Sequence, residues 1–111
     1  METAGKLEIR VDESGGALVL HAEGTIGLAT AAELRASLMN ALGSGGATIL
    51  DAARVSAADL CGLQLLCSAV QSWRARGATF RVEAASEVLT AAARSAGIEP
   101  QEVFGREVSR E

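Results

Sequence analysis

The chain of 111 residues lacks, or is poor in, several features that whole functional classes require. It has one histidine, no tyrosine, 3% aromatic residues, and 10 Lys or Arg against 14 Asp or Glu. The resulting net charge of −4 argues against nucleic acid as a partner, because neutralising phosphates requires clustered basic side chains. With so few aromatics, the core must be built from Leu, Val, Ile and Ala, which suits helices packed on a small sheet.

Long hydrophobic runs are also missing. Charges or glycines interrupt each apolar stretch well short of the ~20 residues that a membrane span needs, so we expect no direct membrane insertion. The first residues are polar, so we expect no targeting segment there. Cys61 and Cys67 fall on one predicted helix, which places their Cα atoms roughly 9 Å apart, too far for a disulfide. Reduced thiols and the missing signal together predict a cytoplasmic protein.

A catalytic or metal-binding site is hard to assemble from this sequence. The only histidine, His21, lies mid-strand on the more polar face, and no second histidine or paired cysteine completes a metal site. The glycine-rich segment 43–46 follows a helix and precedes a strand, whereas a phosphate-binding loop must open a helix. We therefore expect no cofactor and no metal.

Two adjacent strands are predicted near the N-terminus. Leu7, Ile9 and Val11 alternate with charged residues, which is the period of a half-buried strand. A turn at residues 13–16 leads to a second alternating strand at 18–23, so we expect the two strands to pair antiparallel.

Three helices follow, each with recognisable ends. Thr30 is predicted to cap the first helix, with Glu33 completing a capping box and the glycines of 43–46 ending the helix. Asp59 is predicted to cap the second helix and Ser86 the third. The predicted buried positions are, helix by helix, Leu34, Leu38, Ala41 and Leu42; Leu63, Leu66, Val70 and Trp73; and Val88, Leu89, Ala92 and Ala96.

Two more strands are predicted between the helices, at residues 47–50 and 79–83. The first has the apolar character of the centre of a covered sheet. The order β-β-α-β-α-β-α predicts a single α/β domain over residues 1–111, with a four-stranded, mostly parallel sheet covered by helices. One more helical turn is predicted at 100–104, followed by a loose tail at 105–111.

The most informative segment runs from Ile49 to Leu63, with the sequence Ile-Leu-Asp-Ala-Ala-Arg-Val-Ser-Ala-Ala-Asp-Leu-Cys-Gly-Leu. It predicts a buried strand, a tight loop and a helix that begins at Asp59. The segment resembles the signature of STAS domains, the family of bacterial anti-sigma-factor antagonists and their relatives. Family members usually carry Asp-Ser/Thr-Ser/Thr-Gly-Leu here, and a partner kinase phosphorylates the hydroxyl that follows the Asp. Leu60 occupies that position in this chain, so no phosphorylation is expected there.

Two further segments carry the same resemblance, which spans about residues 7–104. Residues 24–31, followed by Leu34, resemble the Gly-x-Leu-Asp-x-x-Thr-Ala segment of the family, with Gly27 replacing a commonly acidic residue. The second half, from the Arg-Gly pair at 76–77 onward, follows the family in the order of its strand and helix. The resemblance implies a four-stranded sheet covered by helices and no enzymatic activity.

The resemblance also implies a protein-binding surface at the loop and at the start of the second helix. Asp59, Gly62 and Leu63 match the family pattern, whereas Leu60 and Cys61 depart from it. The residues expected to contact a partner are Thr25, Asp59, Leu60, Cys61, Gly62, Leu63 and Gln64. Because Leu60 begins a helix stripe that is otherwise polar, we expect its side chain to face solvent.

Three functional hypotheses follow from the resemblance. The first is a non-enzymatic bacterial signalling module for transcription regulation, similar to anti-sigma-factor antagonists, that binds a kinase-fold anti-sigma factor or a histidine kinase. The run 62–66 also resembles STAS proteins of chemotaxis-type signalling. The second hypothesis is a cytoplasmic accessory subunit that holds the ATPase of a phospholipid ABC transporter. The third is a thiol sensor acting through Cys61, although strand–helix packing is expected to bury that thiol and slow its reactions.

Overall fold

Four strands and three α-helices alternate along residues 5–99, the part of the chain that the computed structural model describes. The strands are β1 (Leu7–Ser14), β2 (Ala17–Ile26), β3 (Thr48–Ala58) and β4 (Phe80–Glu83). The helices are α1 (Ala31–Gly43), α2 (Leu60–Ala75) and α3 (Glu87–Ser95), and a 3₁₀ turn at Leu28–Thr30 precedes α1. The helical turn predicted at 100–104 and the tail at 105–111 lie outside the described residues.

The strands form one sheet in the order β1-β2-β3-β4. β1 and β2 pair antiparallel, whereas β3 pairs in parallel with both β2 and β4. Gly15 and Gly16 form the two-residue hairpin loop, with φ angles of 60° and 87° that glycine adopts most readily. The predicted α/β fold with a mostly parallel sheet is therefore confirmed.

One face of the sheet carries the hydrophobic core. Leu20, Leu50 and Val82 lie side by side on β2, β3 and β4, and all three are buried. The helices contribute their buried side chains to the same cluster, and α2 contacts both α1 and α3. In the described part of the chain the opposite face is open and carries charged residues such as Arg10 and Glu83. The helices thus cover one face of the sheet rather than both.

The predicted buried stripe of α2 is confirmed, with Leu66 0% and Trp73 1% exposed. The indole Nε1 of Trp73 donates a hydrogen bond to the Thr48 hydroxyl over 3.2 Å, and the Trp73 ring lies 4.9 Å from the ring of Phe80. These contacts join α2 to β3 and β4. They also give the fully buried Thr48 hydroxyl the partner that a buried polar group needs.

β3 is longer than predicted, and the prediction of a tight loop after residue 50 is wrong. Residues 51–58 continue the strand and pair in parallel with β2, with two register shifts along the pairing. Most side chains in this segment are small or polar, so local sequence gives little indication of a strand. Its extended conformation depends on the neighbouring strand, which is distant in sequence.

The capping box predicted at the start of α1 is wrong, although Thr30 does precede the helix. Its buried hydroxyl donates to the Thr25 carbonyl oxygen over 2.8 Å and accepts from the Gly27 N–H over 3.1 Å. The hydroxyl is thus bonded to the chain before the helix, and Glu33 takes no part. Thr30 fastens the 3₁₀ turn to the end of β2.

Three apolar residues that were predicted to face the core are exposed. They are Val11 (56% exposed), Val88 (43% exposed) and Ala96. α3 instead buries Leu89 and Ala93, which are both 0% exposed. Both stripes of α3 are apolar in sequence, so the rotation of the helix is decided by its packing on β3.

Truncating Leu66 tests the placement of α2. Because Leu66 is fully buried, Leu66→Ala should lower the free energy of unfolding by about 2–5 kcal/mol. Ser72→Ala on the exposed face of the same helix is the control and should change it by no more than ~0.5 kcal/mol. Urea denaturation measures both, and equal small effects would contradict the described orientation of α2.

Candidate functional site

The site is organised by Asp59, the N-cap residue of α2. Its backbone is extended (φ −130°, ψ 179°), and its Oδ1 accepts a hydrogen bond from the Gly62 N–H over 3.2 Å, as predicted for a cap. Its Oδ2 accepts a second hydrogen bond, over 3.1 Å, from the N–H of Leu28 at the start of the 3₁₀ turn. One carboxylate therefore joins the start of α2 to the segment that precedes α1.

These hydrogen bonds favour the ionised carboxylate. The N–H of Leu28, followed by that of Gly62, holds the pKa of the Asp59 carboxyl below its ordinary value. A carboxyl group whose pKa is lower in the folded than in the unfolded chain stabilises the fold above its unfolded pKa, about 3.9. That contribution is lost as the pH falls through the lower, folded pKa.

Gly62 allows α2 to approach β2 closely. A Cβ atom at this position would overlap the carbonyl oxygen of Ile26 and would lie 2.6 Å from its carbonyl carbon. The backbone is drawn in further by a 3.1 Å hydrogen bond from the Asp59 N–H to the same Ile26 oxygen. The glycine that follows Leu60-Cys61 in this chain is thus required by packing.

Position 27 also requires glycine for lack of space. A Cβ at Gly27 would lie 2.5 Å from Asp59 Oδ2, so any side chain there would displace the carboxylate. The backbone at Gly27 is extended (φ −176°) and would itself accept other residues. The departure from the acidic residue that the family commonly carries thus leaves room for Asp59 to bond the Leu28 N–H.

Two exposed leucines lie on either side of the Asp59 carboxylate. Leu60, the next residue, is 51% exposed, and Leu28, whose N–H the carboxylate binds, is 71% exposed. The prediction that Leu60 faces solvent is confirmed. Leu28 was not predicted as a site residue, because the 3₁₀ turn that exposes it was not predicted either.

A shallow apolar groove of about 420 Å³ continues from Leu28 between α1 and α2, and Cys61, the residue after Leu60, lines it as well. We call it the α1–α2 groove. Its lining residues are Leu28, Ala31, Ala32 and Arg35 on one side, and Cys61, Gln64, Leu65 and Ser68 on the other. Arg35 is the one charged side chain among them.

The predicted site residues divide into a surface group and a supporting group. Leu60, Cys61 and Gln64 are exposed, and the last two line the α1–α2 groove. Gly62 and Leu63 are buried and shape the surface from beneath. The remaining predicted residues are Asp59, which is exposed, and Thr25, which is half-buried in β2 and accepts a hydrogen bond from Thr30 through its carbonyl oxygen. Their contact with a partner stays a prediction.

The expectation that packing buries Cys61 is wrong, because its side chain is exposed. Cys61 is in the first turn of α2, on the groove side of the helix, while the neighbouring Gly62 and Leu63 face the sheet. Slow reaction of this thiol can therefore no longer be expected from burial.

His21 lies apart from this site, on the open face of the sheet. Its Nδ1 is 2.8 Å from Asp51 Oδ2 and its Nε2 is 3.1 Å from Asp12 Oδ2, so the ring links β1, β2 and β3. It lies mid-strand on the polar face, as predicted, is half-buried, and cannot reach Cys61 on the other side of the sheet. Within residues 5–99, no group of His, Cys, Asp and Glu side chains is arranged to hold a metal ion. Over the same residues, no helix is both long and apolar enough to cross a bilayer.

A four-stranded mixed sheet with its helices on one face, and a capped helix beginning where β3 ends, is the architecture expected of a STAS domain. Comparison with protein-family models matches residues 9–103 to the family described as "Mlab, STAS domain". Because this match covers most of the chain, the protein belongs to the STAS family. A comparison with curated protein sequences gave no significant match.

Solved structures with the same fold include two anti-sigma-factor antagonists. The one from Mycobacterium paratuberculosis superposes with a TM-score of 0.80 at 17% identity, covering 98% of this chain and 92% of the other. The STAS domain from Rhodobacter sphaeroides gives 0.58 at 24% identity, covering 75% and 95%. The larger protein Mglu gives 0.62 at 26% identity over 72% of this chain, which spans only 20% of Mglu. At these identities the two antagonists demonstrate the shared fold.

The close approach at Gly62 can be tested with a matched pair of glycine substitutions. Gly62→Ala forces a Cβ against Ile26 and should lower the free energy of unfolding by about 1–3 kcal/mol or more. Gly43→Ala places a Cβ in open space at the end of α1 and should change stability by less than ~1 kcal/mol, in the stabilising direction. If thermal and urea denaturation show the two variants to be equally stable, α2 does not contact β2 as described.

Proposed function

We propose that this chain is a non-enzymatic bacterial signalling module that binds a protein partner through the surface around Asp59, in the manner of anti-sigma-factor antagonists. The partner that we propose is a kinase-fold protein, either an anti-sigma factor or a histidine kinase, in the cytoplasm. Membership of the STAS family and the similarity to two antagonist structures support a regulatory module of this kind.

The observation that carries the proposal is the pair of exposed leucines beside one ordered carboxylate. Leu28 and Leu60 are both exposed large hydrophobic residues, and the α1–α2 groove continues from Leu28. Full burial of one leucine side chain contributes about 1.5–3 kcal/mol. A partner that covers both leucines would gain from two such burials without having to dehydrate a lone charge, since Asp59 keeps its two backbone donors.

The residue at the start of α2 sets the mode of regulation. In the family pattern a phosphorylated hydroxyl at this position brings negative charge into the contact and releases the partner. Leu60 has no hydroxyl to modify, so we propose that the contact here is apolar and constitutive. Regulation would then depend on the abundance of the partner or on a signal that the partner receives.

A second candidate is an accessory subunit bound to the ATPase of a phospholipid ABC transporter. The observation that favours it is again Leu60, because a contact without a phosphorylation switch suits a permanent subunit as well as a signalling protein. The two candidates differ in the partner that they require. A kinase-fold protein recovered with the chain supports the first, and a transporter ATPase supports the second.

Substitution of Leu60 tests the surface that both candidates share. The protein partner is first captured with the wild-type chain and identified, and its affinity is then measured by calorimetry. Leu60→Asp places a charge in the contact and should weaken binding by tenfold or more, roughly 1.4 kcal/mol. Leu60→Ala should weaken it less, because it removes apolar area without adding charge.

The matched control is Val88→Asp, which places the same charge at an exposed apolar residue of α3 (43% exposed). It should leave the affinity unchanged, and none of the three variants should unfold the domain. Unchanged affinity with Leu60→Asp would show that the partner binds elsewhere.

A further inference from the structure

The outer edge of β1 is the longest unpaired strand edge in the described residues. β1 has eight residues and pairs only with β2, whereas the strand at the other end of the sheet, β4, has four. An open edge presents unpaired backbone N–H and C=O groups that can bind another strand. This edge contains none of the residues that line the α1–α2 groove, so binding at the edge is independent of the proposed function.

The hydrogen-bonding pattern shows which residues of β1 face outward. The Thr25 N–H donates to the Lys6 carbonyl oxygen over 2.8 Å, in register with the pairing of Leu7 opposite Gly24. In an antiparallel pair, successive residues alternate between bonding to the partner strand and pointing away from it. The even-numbered residues therefore bond to β2, and Leu7, Ile9 and Val11 direct their backbone groups to the open edge.

The same three residues place apolar side chains on the helix side of the sheet. Leu7 and Ile9 are half-buried against the core, but Val11 is 56% exposed although Leu20, opposite it on β2, is buried. β1 thus extends beyond the layer of helices that covers its first half. The exposed end of the strand offers apolar area to a neighbour along the edge.

The charges of β1 are complementary to those of a second β1 in one antiparallel register. With a two-fold axis at Ile9, the two outward-facing Ile9 residues are opposite each other. The pairs are Lys6 with Asp12, Leu7 with Val11, and Glu8 with Arg10, each occurring twice by symmetry. Within residues 6–12, every charged residue in this register faces an opposite charge, and every apolar residue faces an apolar one. Such cross-strand pairs stabilise sheets.

The adjacent registers lack this complementarity. An axis at Arg10 would place the two Arg10 side chains opposite each other and Glu8 opposite Asp12, which is repulsive. An axis at Val11 would pair Arg10 with Asp12 but would place the apolar Ile9 opposite Glu13. Of the three registers, the one at Ile9 is therefore the one that pairs opposite charges with each other and apolar residues with each other over residues 6–12.

A like-charge pair within one chain also favours contact with a second copy at this edge. Glu8 lies directly opposite Glu23 on β2, an unfavourable like-charge pair, and Glu23 in turn has Arg54 opposite it on β3. Glu8 has no strand on its other side among the described residues. A second copy would place Arg10 at that position, so that the like-charge pair Glu8–Glu23 would have an arginine on each side, Arg10 of the second copy and Arg54 of β3.

We propose that the edge of β1 binds the β1 edge of a second copy of this chain, antiparallel about Ile9, to form a continuous eight-stranded sheet. The contact is one strand wide, so the dimer is weak and forms reversibly with rising concentration. Both α1–α2 grooves stay accessible in it, which would let one dimer hold two partners.

Charge-swap variants at two exposed residues test this dimer and its register. Sedimentation equilibrium of the wild-type chain, up to a concentration of ~1 mM, should show an average mass that rises from monomer towards dimer. Glu8→Arg and Arg10→Glu each convert two opposite-charge pairs into like-charge pairs, so each should raise the dissociation constant by about tenfold or more. The double variant Glu8→Arg/Arg10→Glu restores opposite charges and should dimerise like the wild type.

An equimolar mixture of the two single variants provides a second readout. In a mixed dimer about Ile9, position 8 of each variant faces position 10 of the other, and the two side chains there carry opposite charges. Mixing Glu8→Arg with Arg10→Glu should therefore recover the dimer affinity that each variant loses on its own. Circular dichroism of each variant checks that it is folded. The proposal is overturned if the wild-type chain stays monomeric over the whole range, if the single variants dimerise as the wild type does, or if neither the double variant nor the mixture recovers the dimer.

Discussion

The carboxylate of Asp59 accepts hydrogen bonds from Gly62, three residues ahead, and from Leu28, which is 31 residues away in sequence. This pair of bonds fixes where α2 begins relative to the segment that leads into α1. It is possible only because Gly62 lets the helix approach Ile26 and because Gly27 leaves space for the carboxylate. The local geometry of the site thus depends on the Asp59 carboxylate and on two glycines, which leave space because they have no side chain.

The resulting surface is apolar and surrounds the Asp59 carboxylate, which accepts hydrogen bonds from two backbone N–H groups. Leu28 and Leu60 are both exposed next to Asp59, because the carboxylate binds the Leu28 N–H and Leu60 is the residue that follows Asp59. The family pattern has a phosphorylated hydroxyl at the position of Leu60, and in the function that we propose this chain binds its partner through a hydrophobic side chain there instead. The buried residues Gly62 and Leu63 contribute to that surface through the position of the helix.

Sequence analysis predicted the features that depend on neighbours within a few residues. The caps formed by Asp59 on Gly62 and by Ser86 on Leu89 are local, and so is the glycine hairpin after β1. The features that it missed depend on distant partners. Residues 51–58 are extended because β2 lies beside them, and the Thr30 hydroxyl is bonded to the end of β2 instead of capping α1. The second hydrogen bond of Asp59 and the exposure of Cys61 likewise follow from tertiary packing.

The most direct test of this account is a pH titration of backbone amide chemical shifts in ¹⁵N-labelled protein. If one carboxylate holds both segments, the amide protons of Leu28 and Gly62 should shift together, with a common midpoint below the ordinary carboxyl pKa of about 3.9. Both transitions should disappear in Asp59→Asn. An amide of Leu28 that does not titrate, or that titrates with a midpoint different from that of Gly62, would contradict the central role of Asp59.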